Sequence, residues 1–164
     1  MAVDGPSGAG KTTLATRLAE RLRRPDGTGV TVIRMDDLYP GWDGLAAAAP
    51  LLAEDVLAPL ARGEDGRYRR FDWQAMAYAE PHDVPTSTPW LVLEGAGSGG
   101  AATRPWLSAL AWLDAGPQTR RRRALERDGD AYRPHWERWA RQEAAWFAEQ
   151  GTRLHADVVV DTGD

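Results

Sequence analysis

Asp4-Gly5-Pro6-Ser7-Gly8-Ala9-Gly10-Lys11-Thr12-Thr13 lies between a short apolar run, Met1-Ala2-Val3, and a stretch with helical periodicity. Residues Gly5 to Thr12 have the form Gly-x-x-x-x-Gly-Lys-Thr. In this phosphate-binding pattern, the P-loop, backbone N–H groups wrap the phosphates of a nucleotide, and the Thr hydroxyl is placed for Mg²⁺. The glycines let the backbone come close, and the N-terminus of the following helix favours negative charge. Lys11 is the only lysine among 20 basic residues. An arginine would present a wide planar fork here, whereas lysine presents a compact charge on a flexible stem. Gly5, Ser7, Gly8, Ala9, Gly10, Lys11, Thr12 and Thr13 are therefore the candidate contacts to ATP.

Working outward, Thr12 to Arg24 reads as a helix, with Leu14, Leu18 and Leu22 four residues apart and charged residues between them. Pro25-Asp26-Gly27 ends it. Val30 to Met35 is β-branched and apolar and reads as a strand. It delivers Asp36-Asp37-Leu38-Tyr39, and Pro40-Gly41 breaks the chain after that. From 40 to 89 the pattern predicts no long strand. Leu51 to Ala61 looks helical with a late break at Pro59, and Tyr68 to Trp73 reads as a short strand or loop. Further strands are expected at Trp90 to Glu94, Ala109 to Leu113 and Asp157 to Asp161. Helices are expected at Thr119 to Arg127 and at Pro134 to Gln150, where Trp136 and Trp139 are expected to pack.

Alternating strands and helices predict parallel strands joined by right-handed crossovers. The expected architecture is a three-layer α/β/α P-loop fold with a five-stranded parallel sheet. Only Met1 to Asp4 precede the loop, whereas strands usually run about 5–6 residues, so either the first strand is short or the natural chain starts upstream of Met1. The 164 residues suggest one domain, with 37–89 as an acceptor-binding region and 118–133 as a lid region. The formal net charge of −4 provides no global basic field for nucleic acid. There is no cysteine, which excludes disulfides and thiolate metal sites. No apolar stretch approaches the ~20 residues of a membrane span, and no signal peptide is read ahead of the loop. A cytoplasmic location is the expectation.

Ligands of such sheets bind beyond the carboxyl ends of the strands. Asp4/Gly5, Asp36 and Glu94 all fall at these ends. Asp36 is placed to act as a catalytic base or a Mg²⁺-side carboxylate, since phosphoryl transfer needs a carboxylate to accept the acceptor's proton. Asp37 is expected to be solvated. Glu94 is an acid closing an apolar strand and can hold Mg²⁺ with Thr12, partly through water. Arg123 and Arg127 share a helix face and could close over phosphates. Tyr39, Asp72 and Trp73 could line an acceptor pocket. His82, His135 and His155 have no ligand-like spacing.

These segments together resemble the uridine kinase and phosphoribulokinase group of P-loop kinases. Asp4 to Thr13 resembles the opening of that group. Asp36-Asp37-Leu38-Tyr39 is similar to its Asp-Asp-Phe-Tyr segment, which implies that Asp36 is the base and that Tyr39 lies at the acceptor. Glu94-Gly95 is similar to the group's Glu-Gly after the third strand. Thr119 to Asp128 resembles its lid helix, and Phe71-Asp72-Trp73 the segment carrying a hydroxyl-binding aspartate. In place of a longer helix and loop, Ala96 to Arg104 is rich in Gly and Ala. The resemblance implies an ATP- and Mg²⁺-dependent kinase acting on a hydroxyl of a nucleoside- or sugar-like molecule. Two other readings stay open at this point: a nucleotide-binding regulator or ATPase without an acceptor, and a nucleoside monophosphate kinase, for which Arg67, Arg69 and Arg70 could hold the acceptor phosphate.

Overall fold

The computed structural model describes residues 1–163. Five parallel strands form the central sheet: β1 (Ala2–Asp4), β2 (Val30–Arg34), β5 (Trp90–Glu94), β6 (Leu110–Asp114) and β7 (Val158–Asp161), in the order β2-β5-β1-β6-β7. β1 has three residues and is buried throughout. The expected helix after the P-loop is α1 (Lys11–Leu22).

Alternation along the strands makes the layers. Val3, Val92, Ala111 and Leu113 point to one side, where Ala15, Leu14, Leu18 and Leu22 of α1 cover them. Ala2, Ile33, Leu93 and Leu110 point to the other, against Leu45, Ala48, Leu52 and Trp139. Those come from α2 (Leu45–Leu52) and α5 (Trp136–Gln150). Period-2 strands between amphipathic helices thus give the three-layer α/β/α fold. No described helix is long and apolar enough to cross a membrane.

The region from 40 to 89 departs from the sequence expectation in two ways. Its helix starts at Leu45 rather than Leu51 and contains Pro50. It continues through a wide π-helical turn over Ala53–Leu57 into α3 (Ala58–Ala61). A proline cannot donate to the helix ladder, which is why this stretch reads as broken from sequence. The second departure is an antiparallel hairpin of β3 (Gly66–Asp72) and β4 (Ala77–Val84). It is two-stranded and lies outside the main sheet, so no alternating apolar pattern marks it. Cross-strand pairs carry it instead: Arg67 with Asp83 at 2.5 Å, Arg70 with Glu80 at 2.6 Å, and the Tyr68 and His82 rings 5.4 Å apart. Pro81 is tolerated in such an edge strand.

The last helices are α4 (Pro117–Tyr132) and α5. α4 is bent at Gly129, where φ is +58°. Trp136 and Trp139 are buried as expected.

Ile33 has no exposed surface and anchors β2, the strand that leads into the turn carrying Asp36. Ile33→Ala should lower unfolding free energy by about 2–5 kcal/mol. Denaturant unfolding with an unchanged m-value is the check.

Candidate active site

The strand order brings the three expected strand exits side by side. β5 lies between β1 and β2, and its last residue, Glu94, is level with Val3 on one side and Arg34 on the other. From β1 the chain enters the P-loop and reaches α1. From β2 it enters a tight turn, Met35–Asp37, that presents Asp36. Lys11 is buried, and its Nζ donates to the Pro6 carbonyl at 3.0 Å. The Thr12 hydroxyl donates to Glu94 Oε1 at 3.1 Å. Lys11, Thr12, Asp36, Glu94, Arg123 and Arg127 all line one cavity of about 310 Å³ together with Ser7, Gly8, Gly10 and Thr13.

Burial dominates the electrostatics of this cavity. Asp36 is open to solvent at the mouth, but protein surrounds it within the cleft. That desolvation pushes its carboxyl up, against the pull of Lys11 and Arg127. Glu94 is buried and is also pushed up, by burial first, with Lys11 opposing and the Asp36 charge adding. Asp37 is half-buried rather than solvated, and burial followed by the neighbouring Asp36 raises it too. Thr12 and Glu94 offer hard oxygen ligands beside the phosphate loop, and no cluster of three ligating side chains exists among the described residues. That donor set suits Mg²⁺, which takes one or two carboxylates and keeps waters and substrate phosphates for the rest.

A second cavity of about 620 Å³ opens from the same point and shares Ser7, Thr12, Asp36, Tyr39, Glu94, Arg127 and Trp139 with the first. Its far wall is aromatic: Trp42, Trp73 and Tyr132. Trp42 stacks on Tyr132 with ring centroids 5.6 Å apart, and lies 4.7 Å from Trp73. Trp73 Nε1 donates to the Asp36 carbonyl at 2.9 Å, tying the hairpin to the turn that carries Asp36. Tyr39 lines both cavities, and its hydroxyl is held by the Ala96 carbonyl at 2.7 Å.

Asp72 is elsewhere. Its carboxylate accepts the N–H groups of Gln74 and Ala75, both at 2.9 Å, and so closes the hairpin turn instead of lining either cavity. Arg67, Arg69 and Arg70 are also absent from the cavity walls. They pair along the hairpin with Asp83, with the Tyr78 and Ala79 carbonyls, and with Glu80.

No protein-family model matches the chain, and no curated protein matches it. Solved structures do. One is a possible uridine kinase from Bacillus stearothermophilus, 23% identical, with a TM-score of 0.69 over 98% of this chain and 86% of that one. Another is a protein assigned as a fructose transport system kinase from Silicibacter sp. TM1040, 19% identical, with a TM-score of 0.59 over 97% of this chain and 87% of that one. The three-layer α/β/α fold with its five-stranded parallel sheet is the one these two structures share.

In this fold α4 is docked on the crest of the loop. A Cβ on Gly8 would lie 2.2 Å from the Arg120 carbonyl oxygen, so only glycine lets the two backbones meet. Arg123 donates to the Thr162 hydroxyl at 3.1 Å and to its carbonyl at 2.9 Å. Arg127 faces both cavities and forks onto Asp128 at 2.8 and 2.6 Å.

Several residues of the site were missed in the sequence. Trp42 and Tyr132 lie just outside the segments with a local signal, one after Pro40-Gly41 and one after the arginine-rich run of α4. Asp4 was seen only as a strand end. It is fully buried, and its carboxylate accepts N–H bonds from Gly5 at 2.6 Å, Gly97 at 2.9 Å and Gly99 at 2.8 Å. The Gly/Ala-rich stretch after Glu94 is therefore a tight turn wrapped on Asp4.

Burial raises the Asp4 carboxyl from 3.8 to about 6, although all three N–H bonds and Lys11 pull it down. The native state then binds the extra proton, so this group's contribution favours low pH and is lost as pH rises from about 4 through about 6. The interval is worth about 3 kcal/mol. Across pH 4 to 7, the stability of Asp4→Asn relative to the wild type should shift in the variant's favour by about that amount. A difference that stays flat with pH would show that the Asp4 charge is not disfavoured.

Proposed function

We propose that the protein is a kinase that transfers the γ-phosphoryl group of ATP to a hydroxyl of a small, ring-bearing molecule. The observation that carries this reading is one continuous cleft in which the P-loop lysine, two strand-end carboxylates and an aromatic wall meet. The nucleotide phosphates would lie on the loop from Gly5 to Thr13, with Lys11 against the β- and γ-phosphates. Thr12 and Glu94 would hold Mg²⁺, which when bound neutralises charge on those phosphates. Asp36 would take the acceptor's hydroxyl proton as its oxygen bonds to the γ-phosphorus and the bond to ADP breaks. A carboxyl raised from its ordinary value is better matched to that task near neutral pH. Arg123 and Arg127 would close the site from α4 and stabilise the transferred charge.

The acceptor would lie among Tyr39, Trp42, Trp73 and Tyr132. Flat aromatic walls suit a planar ring, which favours a nucleoside-like acceptor over a simple sugar. The monophosphate reading loses its support, because Arg67, Arg69 and Arg70 are engaged along the hairpin and face neither cavity. In this reading the chain works as one domain, with 37–89 supplying the acceptor wall and 118–133 the lid.

Coupled ADP release measured across nucleosides, nucleoside monophosphates, sugars and vitamin alcohols tests the proposal. Stimulation of the basal rate by a ring-bearing alcohol is expected. A flat basal rate over the whole panel would instead support an ATPase or regulator, and stimulation by monophosphates alone would restore the third reading. Lys11→Arg should reduce turnover at least tenfold, because the guanidinium is too wide for the loop's interior; a normal rate would show that charge suffices there.

A further inference from the structure

The nucleotide site has a buried anion that the proposed chemistry does not use. Glu143, on α5, is 2% exposed. Its Oε1 accepts three hydrogen bonds: from the Ser7 N–H at 2.8 Å, from the Ser7 hydroxyl at 2.7 Å, and from Trp139 Nε1 at 2.9 Å. Ser7 is at the crest of the P-loop, 136 residues away in sequence, and it lines both the phosphate cavity and the acceptor cavity.

A buried carboxylate is costly unless its oxygens are well satisfied. Here two of its three donors come from the crest of a loop whose own backbone must hold an unusual shape. We infer that Glu143 is the positioning residue of the P-loop crest. It takes up the Ser7 N–H and hydroxyl proton, so that Ser7 is held from behind while the remaining loop amides and Lys11 face the phosphates. Charge-assisted bonds of this kind are shorter and stronger than neutral ones, which suits the fixing of a loop against the pull of a bound polyanion. Trp139 holds the same oxygen from within α5 and so fixes the carboxylate. Nucleotide affinity thereby depends on α5, a helix outside the P-loop.

The inference rests on the nucleotide reading above, and the test separates the two. MgADP and MgATP are titrated into the wild type, Glu143→Ala, Glu143→Gln, Ser7→Ala and the Glu143→Ala/Ser7→Ala double variant, with circular dichroism to confirm folding. Glu143→Ala should lose at least tenfold in affinity for both nucleotides, and Glu143→Gln, which keeps an acceptor oxygen, should recover most of it. The double variant should bind as Glu143→Ala alone does, because the Ser7 hydroxyl acts through the carboxylate. If Glu143→Ala does not fold, the same comparison is made with Glu143→Gln, Ser7→Ala and their double variant, whose combined loss should fall short of the product of the single losses. Wild-type affinity in folded Glu143→Ala, or losses that simply multiply, would overturn the positioning role and leave the kinase reading intact. A wild type that takes up neither nucleotide would overturn both.

Discussion

A single carboxylate ties the site together. Asp4 ends the central strand, has no contact with solvent, and accepts N–H bonds from the first glycine of the P-loop and from two glycines of the turn after Glu94. One carboxylate thus joins the start of the phosphate loop to the turn that follows Glu94. The sheet register does the rest: Glu94 is level with Val3 and Arg34, so the exits of β1, β5 and β2 open at one height. The disfavoured charge of Asp4 is the cost of this arrangement, and the surrounding core, with its two layers of alternating apolar residues, offsets it.

On that base the cleft divides its chemistry between two walls. Toward the P-loop it is polar and charged, with Lys11, Thr12, Glu94 and the α4 arginines. Toward the hairpin it is aromatic, with Trp42, Trp73 and Tyr132. Asp36 stands where the walls meet. Its backbone is held by Trp73 from the aromatic side, while its carboxyl feels Lys11 and Arg127 from the charged side. Ser7 sits at the same junction, held from behind by Glu143. In the proposed transfer the γ-phosphate would lie on one side of Asp36 and a ring-bearing alcohol on the other.

The parts of this structure that were legible in the sequence are those with a local signal. The P-loop carries its glycines, lysine and threonine within a few residues, and its strand-before, helix-after context is equally local. β2, β5 and β6 announce themselves as apolar runs, and the acids at the ends of β2 and β5 follow directly. Of the hairpin only Tyr68 to Trp73 was legible, as a short strand or loop, because its two strands bury little and are paired by arginines and acids rather than by alternating apolar residues. Asp72 looked like a ligand because its neighbours are aromatic, yet an Asp beside a turn readily caps that turn. Glu143 was hidden for a different reason. At helical spacing among Trp139 and Phe147 it reads as part of an amphipathic face, and only the fold brings it to Ser7 across 136 residues.

One substitution decides whether Asp36 acts as the proposed base at the meeting point of the two walls. Asp36→Asn keeps the size of the side chain and removes its basicity. MgATP affinity and acceptor-dependent ADP release are measured on the same preparation. Nucleotide affinity should stay within about threefold of the wild type while turnover falls by at least about a hundredfold, the usual worth of a positioned base. Unchanged turnover with intact nucleotide binding would contradict it.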